Sequence, residues 1–277
     1  MALDHLSRRL ITLALEEDLG PGDVTAALLD PDATGRAIIL AKSPLVVAGI
    51  EAFVEAYNQV DPAVEVAFEV RDGDRAAPGT SLGIVSGPAR SLLSGERTAL
   101  NLLQRLSGVA TMARRAQDAV AGTKAKVVDT RKTTPGLRAL EKAAVRAGGA
   151  YNHRMGLYDG LLVKDNHVRA AGGVKPAIEA ARKSAHHLLK VECEVTTLAE
   201  VEDALSARAE VILLDNMDTP TMKAAVDLIA GRALVEASGN VTIERLPEIA
   251  ATGVDLISMG ALTHSAKAAD ISLEWDA

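Results

Sequence analysis

The stretch LLKVECEVTTLAEVEDALSARAEVILLDNMDTPTMKAAVDLIAGRALVEASGN, residues 188–240, decides how the rest of the chain is read. LKVECEV at 189–195, EVILLDN at 210–216 and RALVEASGN at 232–240 are short apolar runs with β-branched residues, and they read as strands. Between them, TLAEVEDALSA and TPTMKAAVDLIA space their apolar residues as a helix does. The unit recurs about every 20 to 25 residues. Strands alternating with helices imply βαβ units and a parallel sheet.

The same pattern extends in both directions. KAKVVDTRK at 124–132, DGLLVKDNH at 159–167 and VDLISMGAL at 254–262 add strands. LRALEKAAVRAG at 137–148, GGVKPAIEAARKSA at 172–185 and TIERLPEIAATG at 242–253 add helices. Units of this kind close, or nearly close, into a barrel. A doubly wound sheet fits the periodicity equally well.

The first hundred residues are mixed α and β. LSRRLITLALEEDLG at 6–20 reads as a helix that stops at Gly20. AIILAKSPLVVAGI at 37–50, VEVAFEV at 64–70 and SLGIVSG at 81–87 read as strands. Residues 91–120 carry Leu100, Leu103, Leu106, Val109 and Ala110 at helical spacing, with Gly108 as a candidate break.

Composition bounds the function. The chain has 277 residues, 30 basic against 37 acidic, for a formal charge of −7. Aromatics make up 2%, too few for the stacking platforms of single-strand nucleic-acid binding. The acidic balance argues against non-specific duplex binding. One cysteine, Cys193, excludes an internal disulfide framework and fits a reducing compartment. MALDHLSRRL is charged throughout and lacks an apolar run of leader length, so a secretory signal is not expected and a cytoplasmic location is. No apolar run approaches membrane-spanning length.

The informative feature is how the strands end. Asp129, Arg131 and Lys132 close one run; Lys164, Asp165, Asn166 and His167 close the next. Glu192 and Glu194 lie in the third, Asp215 and Asn216 end the fourth, and Glu236, Ser238 and Gly239 end the fifth. Ser258 and Gly260 end the sixth. In α/β barrels the strand C-termini face one end, and that end holds the site. Arg131, Lys132, His153, Arg154 and Lys164, with Arg97 and Arg138 as further candidates, then form a cationic set suited to a multiply charged anion. Glu194 and Asp215 can hold Mg²⁺, bond sugar hydroxyls, or pair with the nearby cations. Ser238 and Gly239, followed by a helix-like segment, resemble a phosphate seat, with Gly260 as its other half. There is no P-loop, no GxGxxG after a strand and no GxSxG elbow. Cys193 alternates with Glu192 and Glu194, so it faces away from them and is not a nucleophile. A site with cations, acids and no nucleophile works by positioning and electrostatics.

Several motifs carry a family resemblance. LEEDLGPGDVTAALL at 15–29, GERTALNLLQRLSGVAT at 95–111, DTRKTTPGLRALEKAAVRAGGAYNHRMGLYD at 129–159 and LVKDNHV at 162–168 lead, followed by EVILLDN, EASGN at 236–240 and ISMGALTHS at 257–265. Together they resemble the quinolinate phosphoribosyltransferases, the decarboxylating enzymes of NAD biosynthesis, over nearly the whole chain and in order. The resemblance implies an N-terminal α/β sandwich domain at 1–110 and an open or incomplete TIM-like α/β barrel at 111–265, with the tail 266–277 packing back on the first domain. It implies a homodimer or hexamer whose sites are shared between subunits.

By residue, the resemblance implies that Arg131, His153, Arg154 and Lys164 bind the carboxylates of quinolinate, with Arg97 arriving from the partner subunit. Thr130, Lys132, Glu194 and Asp215 would bind phosphoribosyl pyrophosphate, with Ser238, Gly239, Ser258 and Gly260 around its phosphate. Lys132, Lys164, Glu194 and Asp215 would be catalytic, and Glu194 and Asp215 would hold Mg²⁺ directly or through water. The rivals are a paralogue acting on another aromatic acid, a Schiff-base lyase using Lys164, and a sensor that binds an anion without turnover.

Overall fold

The computed structural model describes residues 3–276. Its helices and strands follow in chain order. The first part holds α1 (His5–Leu19), β1 (Thr34–Ala41), β2 (Leu45–Val46), α2 (Ile50–Val60), β3 (Glu65–Phe68), β4 (Arg75–Ala76), β5 (Ser81–Pro88) and α3 (Ala89–Ala119). Then come β6 (Lys126–Val128), α4 (Arg138–Ala147), β7 (Leu161–Val163), α5 (Asp165–Ala171), α6 (Val174–Ser184), β8 (Val191–Val195) and α7 (Leu198–Ser206). Last are β9 (Val211–Asp215), α8 (Thr219–Ile229), β10 (Leu234–Ser238), α9 (Leu246–Ala251), β11 (Leu256–Ser258), α10 (Ala261–His264) and β12 (Ile271–Trp275). Among the described residues no helix is long and apolar enough to cross a membrane.

The chain divides into two compact units, one of residues 1–114, 133–149 and 263–277, the other of 115–132 and 150–262. The first unit is built on a four-stranded antiparallel sheet in the order β12-β1-β5-β3. Along β1 burial alternates, with Ala37, Ile39 and Ala41 inside, as a strand with one covered face requires. α1 begins where the Asp4 carboxylate accepts the Ser7 amide at 2.6 Å and stops at Gly20, whose φ of +50° suits glycine. Phe53, Tyr57 and Phe68 meet edge to face and supply most of this unit's aromatic core. β12 pairs with β1, so the end of the chain completes the sheet its beginning starts.

Two sequence expectations change here. α3 does not break at Gly108; it runs unbroken to Ala119. Gly108 is there because a Cβ would overlap the Lys267 carbonyl oxygen, so the returning C-terminal segment lies directly on the helix backbone. Residues 133–149, assigned by the sequence to the barrel, belong to the first unit. The reason is that α4 buries Leu140, Ala144 and Val145, and its fully buried Glu141 pairs with Arg105 at 2.6 Å and with the Thr134 amide and hydroxyl. Gly148 allows equally close approach to the Ala110 carbonyl.

The second unit is a six-stranded parallel sheet in the order β6-β11-β10-β9-β8-β7. From β7 to β11 each strand lies beside the one before it, always in the same direction, and β11 returns to pair with β6. From β7 to β11 the strand order never reverses, as in a barrel and unlike a doubly wound sheet, whose order reverses at a switch point. Tyr151 adds a parallel bridge on the far side of β6, its amide on the Val127 carbonyl at 2.9 Å. Among the described residues no ladder joins Tyr151 to β7, so the barrel is open there. The helices cover it with short apolar faces, such as Val174, Ala177 and Ile178 of α6 and Met222, Ala225 and Ile229 of α8.

Candidate active site

Because the six strands run parallel, their C-terminal ends lie on one side. Asp129, Lys164, Glu194, Asp215, Ser238 and Ser258 all fall at or just beyond those ends. Register aligns Glu194 with Leu213 and Ser238 with Asp215. Side chains alternate along a strand, so Glu194, Asp215 and Ser238 share one face of the sheet. Cys193 takes the opposite face, fully buried, and burial among acids pushes its thiol up to about 12. It is inert.

The cationic side is built from two loops. After β6, Thr130 is half-buried and its hydroxyl accepts the Lys132 amide at 3.0 Å, leaving Arg131 and Lys132 exposed. After Tyr151 comes Asn152–Arg154, fastened by the fully buried Asp129. Its carboxylate accepts the Asn152 side-chain amide at 2.6 Å and the His153 backbone amide at 2.8 Å. Arg154 donates from Nη1 to the Gly160 carbonyl at 2.9 Å. Burial, then the charge of Arg131, lower the Arg154 guanidinium from its usual range. A second positive charge acting on a partly buried guanidinium favours an anion beside it.

His153 differs from its sequence expectation. Its Nε2 turns down to Glu192 Oε2 at 3.0 Å and Glu236 Oε2 at 3.8 Å, while its Nδ1 accepts the Arg154 amide at 2.7 Å. Both ring nitrogens are engaged by the protein, so the ring does not offer an N–H to a substrate carboxylate. Burial, then the charge of Glu192, push the Glu236 carboxyl up to about 8.

Lys164 caps α5, a helix the sequence leaves unread, and its Nζ lies 2.9 Å from Glu194 Oε2. The acid and the cation assigned to different substrates are therefore joined. The lysine is half exposed, and an exposed pair of this kind contributes only about 0–1 kcal/mol, so a substrate anion can displace it. Asp215 accepts the Asn216 side-chain amide at 2.7 Å.

The Ser-Gly seat is tighter than the sequence suggests. Gly239 sits at φ +95°, and a Cβ there would overlap the Asn216 side-chain oxygen. Asn216, itself left-handed at φ +53°, donates its amide to the Ser238 carbonyl at 3.0 Å, and Asn240 reaches Asn216 Oδ1 at 3.0 Å. The sequence signal was an asparagine after each of two strands, since asparagine tolerates this backbone. Two expectations shift. Ser258 is buried and its hydroxyl bonds the Ala237 carbonyl at 3.4 Å, so it forms the wall behind the seat. α9 starts only at Leu246, after a 3₁₀ turn at Ile243–Arg245, so no helix N-terminus directly backs Gly239. Gly260 follows β11 and is half-buried. Arg97 lies on α3 in the first unit, its side chain exposed and 4.0 Å from Glu96.

Among the described residues the one group of three potential metal donors is His153, Glu192 and Glu236, within 4.8 Å of one another. Glu194 and Asp215 offer hard carboxylate oxygens on neighbouring strands, sharing one face.

Comparison with known proteins agrees over the whole chain. Residues 23–107 match the family described as quinolinate phosphoribosyl transferase, N-terminal domain, and residues 109–274 match its C-terminal domain. A Bacillus subtilis (strain 168) protein named probable nicotinate-nucleotide pyrophosphorylase [carboxylating] is 44% identical, with 98% of this chain and 94% of that protein covered. Quinolinate phosphoribosyltransferase [decarboxylating] 1b of Nicotiana tabacum is 43% identical, covering 96% of this chain and 81% of that protein. The solved nicotinate-nucleotide pyrophosphorylase of Francisella tularensis superposes with a TM-score of 0.96 at 37% identity, covering 100% of this chain and 98% of that one.

Proposed function

The chain belongs to the quinolinate phosphoribosyltransferase family, and from that premise we propose how its residues divide the work. The reaction is transfer of phosphoribosyl from phosphoribosyl pyrophosphate to quinolinate with decarboxylation, a step of de novo NAD biosynthesis. The observation that carries the site is the gathering of cations and acids at the C-terminal end of one parallel sheet: Arg131 just after β6, and Lys164, Glu194 and Asp215 at the ends of β7, β8 and β9, with Lys164 and Glu194 2.9 Å apart.

Arg131 and Arg154 take the two carboxylates of quinolinate, with Lys164 released from Glu194 to join them. Lys132 faces the departing pyrophosphate, and the Thr130 hydroxyl supports its loop. Glu194 and Asp215 hold the ribose hydroxyls and favour the positive charge that develops at the anomeric carbon. The pyridine nitrogen bonds to that carbon as the bond to pyrophosphate breaks. The cationic ring then accepts the electron pair of the C2–carboxylate bond; CO₂ leaves and C2 takes a proton. The backbone at Ser238 and Gly239, held by Asn216, and at Gly260 receives the 5-phosphate.

Two carboxylates with hard oxygens suit Mg²⁺, and Glu194 and Asp215 would hold it directly or through water, with substrate oxygens completing its shell. When bound, the ion neutralises charge on the leaving pyrophosphate. The assembly is a homodimer or hexamer in which Arg97 of one subunit completes the pocket of another. Supporting this, Leu6, Leu13, Val24 and Leu28 of the first unit are 59% to 83% exposed.

The test is turnover of quinolinate, phosphoribosyl pyrophosphate and Mg²⁺ to nicotinate mononucleotide and CO₂, with nicotinate as control. Arg131→Ala should raise KM for quinolinate by about tenfold to a hundredfold with the fold intact. Unchanged kinetics would remove Arg131 from the pocket.

A further inference from the structure

Two buried carboxylates on the inner face of the barrel have no part in the scheme above. Glu192 stands two residues before Glu194 on β8, and Glu236 two residues before Ser238 on β10, so each lies one layer beneath a proposed substrate-binding residue. Their side chains are 10% and 1% exposed, and one oxygen of each, Glu192 Oε1 and Glu236 Oε1, has no hydrogen-bond partner. Stability does not explain them. Apolar side chains of similar volume in these positions would avoid the desolvation of two adjacent acids.

What they touch is informative. The His153 ring lies against both, so its Nε2 carries the proton and its Nδ1 is left as an acceptor. That Nδ1 takes the backbone N–H of Arg154. Asp129 grips the same segment from the other side, through the Asn152 side chain and the His153 amide. The charge of Glu192 also acts on the Arg154 guanidinium, favouring its charged form. The backbone that launches Arg154 is therefore fixed by a histidine tautomer, and the tautomer is fixed by two glutamates.

We propose that Glu192 and Glu236 are positioning residues for quinolinate: they lock the His153 ring, and the locked ring aims Arg154 at a substrate carboxylate. The proposal rests on the assignment of this pocket to quinolinate. His153 then acts from beneath the pocket, as a strut for Arg154.

The experiment is steady-state kinetics on Glu192→Ala, Glu236→Ala, Glu192→Gln and Glu236→Gln in the full-length protein, with folding checked by thermal melting. It is joined by ¹⁵N spectra of the histidine rings and by metal analysis of the purified protein. Loss of aim should raise KM for quinolinate about tenfold or more in the Ala variants, while KM for phosphoribosyl pyrophosphate moves less than about twofold. The Gln variants keep an acceptor oxygen for Nε2–H and should recover most of the loss. The wild-type spectrum should contain one ring protonated on Nε2 alone, a signal that Glu236→Ala disperses and His153→Gln removes. Should an Ala variant fail to fold, Glu192→Met and Glu236→Met, which keep volume without an acceptor oxygen, take its place, with the same split of KM values expected and an unmoved KM for quinolinate overturning the proposal. Three results would overturn the proposal: unchanged KM for quinolinate in folded Ala variants, equal rises in both KM values, or a stoichiometric metal ion that Glu236→Gln removes. If the wild type ignores quinolinate, or Arg131→Ala is indifferent to it, the pocket assignment fails first and the proposal falls with it. Intact Arg131 dependence with indifferent glutamates sinks the proposal alone.

Discussion

At residue scale the rim has one position, Gly239, where an ordinary side chain does not fit. Gly239→Ala would force a methyl into the Asn216 side chain and strain a backbone at φ +95°. The expected result is a KM for phosphoribosyl pyrophosphate raised at least about tenfold, with KM for quinolinate nearly unchanged; equal effects on both would mean a general collapse of the rim. Glu236 sets a pH dependence of stability. Its folded pKa is raised above the ordinary 4.5 to about 8 by burial and by Glu192, so the native state keeps a proton that the unfolded chain releases. That contribution is fully present below 4.5 and is lost as pH rises toward 8. His153, Glu192 and Ser258 are the polar groups that face it. Melting temperatures of the wild type and Glu236→Gln should therefore diverge as pH rises from 4.5 to about 8, to the disadvantage of the wild type, and run parallel above that. Curves parallel across that rise would place the proton elsewhere.

At element scale, α3 poses a contest between propensity and packing. Gly108→Ala gains about 1 kcal/mol of helix propensity. Against it stands overlap with the Lys267 carbonyl, and overpacking typically costs about 1–3 kcal/mol. The overlap is with backbone, so packing should win and denaturant melts should show net destabilisation; a stabilised variant would mean the C-terminal segment yields easily. The strands of the barrel were legible because β-branched apolar runs ending in charges recur through LLVKDNH, VECEV, VILLDN and VEASGN. The bridge at Tyr151 was not, since one paired residue in AYNHR leaves no run. α5 was hidden because Lys164, Asp165 and Asn166 look the same in sequence whether they end a strand in a loop or begin a helix. The triad of His153, Glu192 and Glu236 was missed for a different reason. A charge one layer down a strand and a charge at its rim differ only in depth, and sequence does not encode depth directly.

At the scale of the whole molecule, the proposed sharing of sites between subunits makes a sharp prediction. Assayed with quinolinate well below their raised KM, Arg97→Ala and Arg131→Ala should each be nearly inactive alone. If Arg97 serves a neighbour's pocket, re-equilibrated mixtures should recover about a quarter of wild-type activity in a dimer, because half the assemblies pair unlike subunits and each such pair rebuilds one intact site. No recovery would confine Arg97 to its own subunit. The missing ladder between Tyr151 and β7 has its own consequence. A fully closed barrel has no edge, whereas this wall has a seam, and among the described residues β7 is bonded on one side only. Amide hydrogen exchange should register it as a gradient, slowest in β9 and β10 and fastest in β7. A wall that loosens there loosens on the strand that delivers Lys164, so the cation proposed to leave Glu194 for the substrate would be mounted on the most compliant stave of an otherwise stiff cask.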